Sequence, residues 1–76
     1  MLIFVKTVTN RILTGKTLTF EVNTTDIVLN FKQRIQDQEK IPIQKQRLLN
    51  MGITMSDNRT MGDYSLKENQ TLYLMY

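Results

Sequence analysis

Apolar and polar residues alternate with period two at both ends of this chain, and the pattern turns helical only once, between residues 28 and 39. That arrangement calls for strands first and last with one helix between them. In the opening run Met1, Ile3 and Val5 share one face and Leu2, Phe4 and Lys6 the other, and the first face is predicted to enter the core. Residues 17–22 repeat the pattern, with Leu18, Phe20 and Val22 inward and Thr17, Thr19 and Glu21 outward. Thr14-Gly15-Lys16 supplies turn chemistry before it, so the two runs read as a hairpin. Between them Val8-Thr9-Asn10-Arg11-Ile12 is followed by Leu13-Thr14-Gly15-Lys16-Thr17, a pair of similar units that reads as a local tandem duplication.

Asn23-Thr24-Thr25-Asp26 is a cluster of N-cap residues, and Val28, Phe31 and Ile35 then fall on one helical stripe. The helix is predicted to run to about Glu39. Lys40 takes the place where helices often end on a left-handed residue, and Pro42 forbids continuation. A short strand over 46–50, a Met51-Gly52 turn and a return strand over 53–55 follow. Residues 57–60 read as loop, 61–64 as one tight turn and 71–76 as a last alternating strand, with Leu72 and Leu74 inward. The order is β-β-α-β-β-β.

A chain of 76 residues makes one domain, 1–76, and buries only roughly 60% of the surface its unfolded form exposes. It has neither cysteine nor histidine, which removes thiolate nucleophiles, zinc fingers and the commonest general base together. An enzyme is not expected, and neither is a metal or cofactor. No stretch approaches the roughly 20 apolar residues of a membrane helix, so the chain reads as soluble and intracellular, cytoplasmic or nuclear. The net charge of +3 fits solubility as well as an acidic partner.

The order of elements and the residues that fill it resemble ubiquitin and the ubiquitin-like domains. Met1-Leu2-Ile3-Phe4-Val5-Lys6-Thr7 opens the chain as that family opens, and Thr14-Gly15-Lys16-Thr17 repeats its hairpin turn. Ile35-Gln36-Asp37, Ile41-Pro42, Gln46-Arg47-Leu48, Asp57, Arg59-Thr60, Asp63-Tyr64 and Thr71-Leu72 match in order and spacing. The match spans the chain apart from five extra residues in the first hairpin. It implies an α+β fold of the β-grasp type, a mixed sheet of four to five strands wrapped around one helix. It also implies a core of Met1, Ile3, Val5, Leu18, Val22, Val28, Ile35, Leu48, Met55, Leu66, Leu72 and Leu74.

Departures from the family bear on function. Its conjugated members close on Gly-Gly, whereas this sequence stops at Tyr76, so a chain ending there is not expected to be conjugated. Lys6, Lys16 and Lys32 align with lysines on which the family builds chains, and Ile53 and Glu68 stand at the two most used sites. Ile27 replaces the usual N-cap threonine, which leaves Thr25 or Asp26 to cap the helix.

Alternation sends Leu49, Tyr73 and Met75 to the solvent face of the sheet. The resemblance implies that these positions, with Arg47, the glycine matched by Gly52 and one apolar hairpin residue, form the family's partner-binding patch. Val8 and Leu13 head the two similar units, and either can supply that hairpin residue; alternatively Ile12 and Leu13 only support a longer hairpin. Scattered surface hydrophobics are the competing explanation for the patch. The segment Val8 to Leu13 is expected to project as a mobile excursion at the hairpin tip, leaving the register of Ile3 and Val5 untouched. Arg47, Lys32, Lys45 and Arg34 lack the aromatic interleaving of a nucleic-acid surface and read as a solvated face. Asp37 with Glu39, and Asp57 with Asp63, read as solvated loop charges. Met51, Met55 and Met61 read as gap-filling side chains.

The expected function is a non-catalytic, monomeric ubiquitin-like interaction module. Its partners would be ubiquitin-binding domains, proteasomal receptors or ubiquitin-pathway enzymes, with no nucleic acid and no membrane. The alternative is a conjugated modifier lacking its Gly-Gly tail.

Overall fold

The computed structural model describes residues 1–9 and 12–76, with side chains described at 1–8 and 16–76. Strands β1 (Leu2–Thr9) and β2 (Ile12–Glu21) form an antiparallel hairpin, and helix α1 (Val28–Glu39) follows. Then come a 3-10 turn (Ile43–Lys45), β3 (Arg47–Asn50), β4 (Ile53–Thr54), a second 3-10 turn (Met61–Tyr64) and β5 (Gln70–Met75). The sheet runs β2-β1-β5-β3-β4, with β5 parallel to β1 and antiparallel to β3. The mixed sheet with one helix is the α+β β-grasp architecture expected from the sequence.

The inward faces are those that the period-two pattern assigns. Ile3 and Val5 of β1, Leu18 and Phe20 of β2, Leu48 of β3 and Leu72 and Leu74 of β5 are buried against Val28, Phe31 and Ile35 of α1. Val22, Ile41, Met55, Met61 and Leu66 close the core. Phe20 meets Phe31 edge to face, ring centroids 5.0 Å apart, a preferred aromatic geometry. Met1 is only partly buried at the margin of this core, because its ammonium group bonds to Glu21 Oε1 and Val22 O, each at 3.0 Å. Met51 is no gap-filler either: it lies 86% exposed in the turn that joins β3 to β4.

The hairpin differs from expectation. Its ladder continues past Lys6↔Thr17 to Val8↔Leu13 and Thr9↔Ile12, so Val8 and Leu13 are paired strand residues rather than parts of an excursion. Asn10 and Arg11 lie outside the described residues. Thr14, Gly15 and Lys16 belong to β2 and are not its turn; together they stand opposite Thr7 at a shift in register between Lys6 and Val8. A bulge of this kind adds residues to one strand while the ladder resumes beyond it. The surplus here is even, so it leaves the two faces of the hairpin unexchanged. Lys6, Val8 and Thr17 therefore keep the outward side.

Neither Thr25 nor Asp26 caps α1. Its N-cap is Ile27, in extended backbone and with no side-chain cap. The first amides of the helix are satisfied from another segment instead: Val28 N–H donates to Arg59 O at 2.8 Å and Leu29 N–H to Asp57 O at 3.1 Å. Carbonyls of the 56–60 loop thus do what a side-chain cap does elsewhere. At the other end Lys40 adopts φ 62°, ψ 29°, the left-handed conformation that a side chain enters at a cost of roughly 1 kcal/mol. Lys40→Gly is expected to raise the melting temperature by about 4–8 °C, as measured by thermal denaturation; an unchanged midpoint would show that the strain is relieved by other means.

Lys32, expected on a solvated face, is buried. Its ammonium group bonds to Asp57 Oδ1 at 2.6 Å and to Gln46 O at 3.2 Å. It projects from α1 toward the 46–57 segment, where its stem packs and its charge meets a carboxylate. A lysine held this way keeps its ammonium group inside local contacts.

Candidate functional site

The outer side of the sheet brings the selected residues together through register alone. β5 lies between β1 and β3, with Lys6 beside Tyr73 and Val8 beside Met75 on one side. On its other side Leu49 pairs with Tyr73 and Arg47 with Met75. Two cross-strand rows result: Lys6, Tyr73, Leu49 and Thr54, and next to it Val8, Met75 and Arg47. Leu13 pairs with Val8 at the hairpin end of the second row, and its side chain lies outside the described residues. Tyr73 is 42% exposed, Arg47 is exposed, and Val8, Leu49 and Met75 are half-buried against one another's strands.

At roughly 4.8 Å between neighbouring strands, the apolar members, Val8 of β1, Tyr73 and Met75 of β5 and Leu49 of β3, form a band about 10 Å across. Its charged members, Lys6 and Arg47, are both cationic. The face can therefore bury apolar surface and attract an acidic segment, and among its described residues no nucleophile stands beside a base. Among the described residues no group of three or more histidine, cysteine, aspartate or glutamate side chains could hold a metal ion. No helix among them is long and apolar enough to cross a membrane.

Gly52 sits at the edge of this face in the β3–β4 turn with φ +82°, and a Cβ there would meet nothing within 4 Å. Its positive φ is a conformation that the turn requires and that glycine enters without strain. Its neighbours Met51 and Ile53 are 86% and 62% exposed. Sequence reasoning left both out of the site, although their apolar character beside a turn glycine was visible. Lys6 was assigned to the outer face by alternation, yet only its pairing with Tyr73 shows it in the same row.

The other charged residues are drawn apart into local contacts. Arg34 lies over the Phe20 ring, 5.3 Å from its centroid, and donates to Glu21 O at 2.9 Å. Glu39 Oε1 pairs with Lys16 Nζ at 2.6 Å, Asp37 Oδ1 accepts from Gln33 at 3.1 Å, and Asp63 caps the second 3-10 turn reciprocally with Thr60. Arg47 is the member of the basic quartet that belongs to the sheet face.

Comparison with known proteins bears on the fold. The Ubiquitin family model matches residues 3–76. Over 75 residues the chain is 36% identical to "Ubiquitin-like protein NEDD8" of Dictyostelium discoideum, covering 99% of this chain and 91% of that protein. It is 36% identical over 75 residues to "Ubiquitin-like protein 1" of Schizosaccharomyces pombe, covering 99% and 90%. The "NEDD8-like protein RUB1" of Saccharomyces cerevisiae is 35% identical over the same length, covering 99% and 91%.

Proposed function

This chain belongs to the ubiquitin family, and from that premise we propose that it acts as a non-catalytic ubiquitin-like modifier read by partner proteins through the outer face of its sheet. The observation that carries the docking role is the pair of rows built from Lys6, Tyr73 and Leu49 and from Val8, Met75 and Arg47. Apolar side chains gathered on an exposed face, flanked by cations, favour a partner element that is apolar on one side and acidic at its rim. A band about 10 Å across suits one helix, whose diameter with side chains is about 10–12 Å.

The modifier role rests on the relatives, since NEDD8-like proteins are matched over nine-tenths of their length. Activating and conjugating enzymes of the ubiquitin pathway would then be partners together with ubiquitin-binding domains and proteasomal receptors, in the cytoplasm or nucleus. An interaction module that is not conjugated is the second reading, favoured by the same face. The reading frame after Tyr76 separates the two: a tail closing on Gly-Gly that forms a reducible thioester with an activating enzyme supports the modifier, and its absence supports the module.

The docking role has its own test. Titration with an acidic ubiquitin-binding helical peptide should shift the amide resonances of Lys6, Val8, Arg47, Leu49, Tyr73 and Met75 more than those of α1. Tyr73→Ala and Leu49→Ala should each weaken that binding by more than ~1 kcal/mol while leaving the melting temperature nearly unchanged, because exposed anchors contribute to interfaces more than to cores. Shifts centred on α1, or unchanged affinity in both variants, would remove the assignment.

A further inference from the structure

The outer end of the hairpin and the end of β5 support each other. Val8 stands in register with Met75 on one side and with Leu13 on the other, and its carbonyl accepts the Tyr76 N–H at 3.3 Å. Thr9 and Ile12 add one more rung beyond Val8. On the opposite edge of β5, the β3 ladder reaches its outermost pair at Arg47 and Met75, so Tyr76 is held from the β1 side. Strand ends with few partners fray first. Here the hairpin outruns the rest of the sheet and lies alongside that end.

We propose that the outer rungs of the β1–β2 hairpin are a strut that keeps the end of β5 in the sheet and thereby fixes Met75 on the docking face before a partner arrives. Two antiparallel rungs hold Val8 extended, and extended backbone at Val8 aims its carbonyl at the Tyr76 amide. The shift opposite Thr7 allows this, since β2 gains residues there while the ladder resumes with its faces unexchanged. Holding Met75 in place beforehand moves the ordering cost of that side chain from binding to folding. The consequence for docking rests on the function proposed above; the strut itself is a property of the free chain.

Two variants test it by amide hydrogen exchange of the free protein. Removing Val8 through Ile12 joins Thr7 to Leu13 and leaves Leu13-Thr14-Gly15-Lys16-Thr17, the first part of β2, as the new hairpin connection. Ile12→Pro keeps the length and takes a backbone donor out of the outermost rung. In both, exchange at Tyr76 should accelerate at least about tenfold, while Leu72 and Leu74, opposite Val5 and Thr7, exchange at the parental rate. Parental exchange at Tyr76 in a folded variant overturns the strut. So does global unfolding of both variants, which would make the rungs part of the core. In Ile12→Pro, which keeps every residue of the docking face, fast exchange at Tyr76 with undiminished affinity for the helical peptide overturns the role in docking while leaving the docking face itself intact.

Discussion

Ile35→Ala is expected to destabilise the domain by about 2–5 kcal/mol. Ile35 is fully buried on the inner stripe of α1, among Val28, Phe31 and the side chains of β1, β3 and β5. Truncating it loses both transfer free energy and packing, because the sheet on one side and the helix backbone on the other limit how far the cavity can collapse. A domain of 76 residues has only about 4–11 kcal/mol of stability in total. One such cavity should therefore lower the melting temperature by about 10–30 °C or unfold the chain at room temperature. Leu72→Ala, fully buried on β5 in register with Val5, should fall in the same range. Leu29→Ala is the control, since that leucine is 42% exposed on the same helix and should change stability by less than about 0.5 kcal/mol. Equal melts for Ile35→Ala and Leu29→Ala would mean that the inner and outer faces of α1 are exchanged.

The second large effect concerns the Lys32 and Asp57 pair, and its prediction is an asymmetry. Lys32 has 7% side-chain exposure against 51% for Asp57. Removing the carboxylate leaves an ammonium group in the interior with Gln46 O as its remaining described acceptor. Losing one partner of a fully buried pair costs about 3–5 kcal/mol; the solvent around Asp57 screens part of this, so Asp57→Ala should cost about 2 kcal/mol. Lys32→Met removes the buried charge while keeping most of the stem volume, and should cost less than about 1 kcal/mol. Urea denaturation of the two variants gives the order directly. If Lys32→Met proved the more damaging, the pair would be stabilising by its own attraction and the desolvation argument would fail.

These two predictions separate what was legible from what was not. The inward faces of β1, β2 and β5 and the stripe of α1 could be read because alternation and helical period report burial locally, one element at a time. Leu66 showed no such pattern and entered the expected core through family resemblance. Lys32 was misread because a lysine at a helix position carries no local sign of the carboxylate it meets; Asp57 lies twenty-five residues away in sequence. The cap of α1 was misread for the same reason, since its acceptors are backbone carbonyls of Asp57 and Arg59, which no side-chain motif announces.

The hairpin shows the limit most plainly. Thr14-Gly15-Lys16 has turn chemistry, and local propensity placed the turn there. The ladder nevertheless carries on to Thr9 and Ile12, because backbone donors and acceptors on both strands gain partners by pairing. Which side chains of a strand or helix point inward is legible from its residues, for burial period is a property of a single element. Which strands are neighbours is set by the assembled sheet. Insertion of β5 between β1 and β3 sets Tyr73 beside Lys6 and Leu49, and Met75 beside Val8 and Arg47. Those contacts join residues far apart along the chain, and their free energy appears only once the whole sheet has closed over α1.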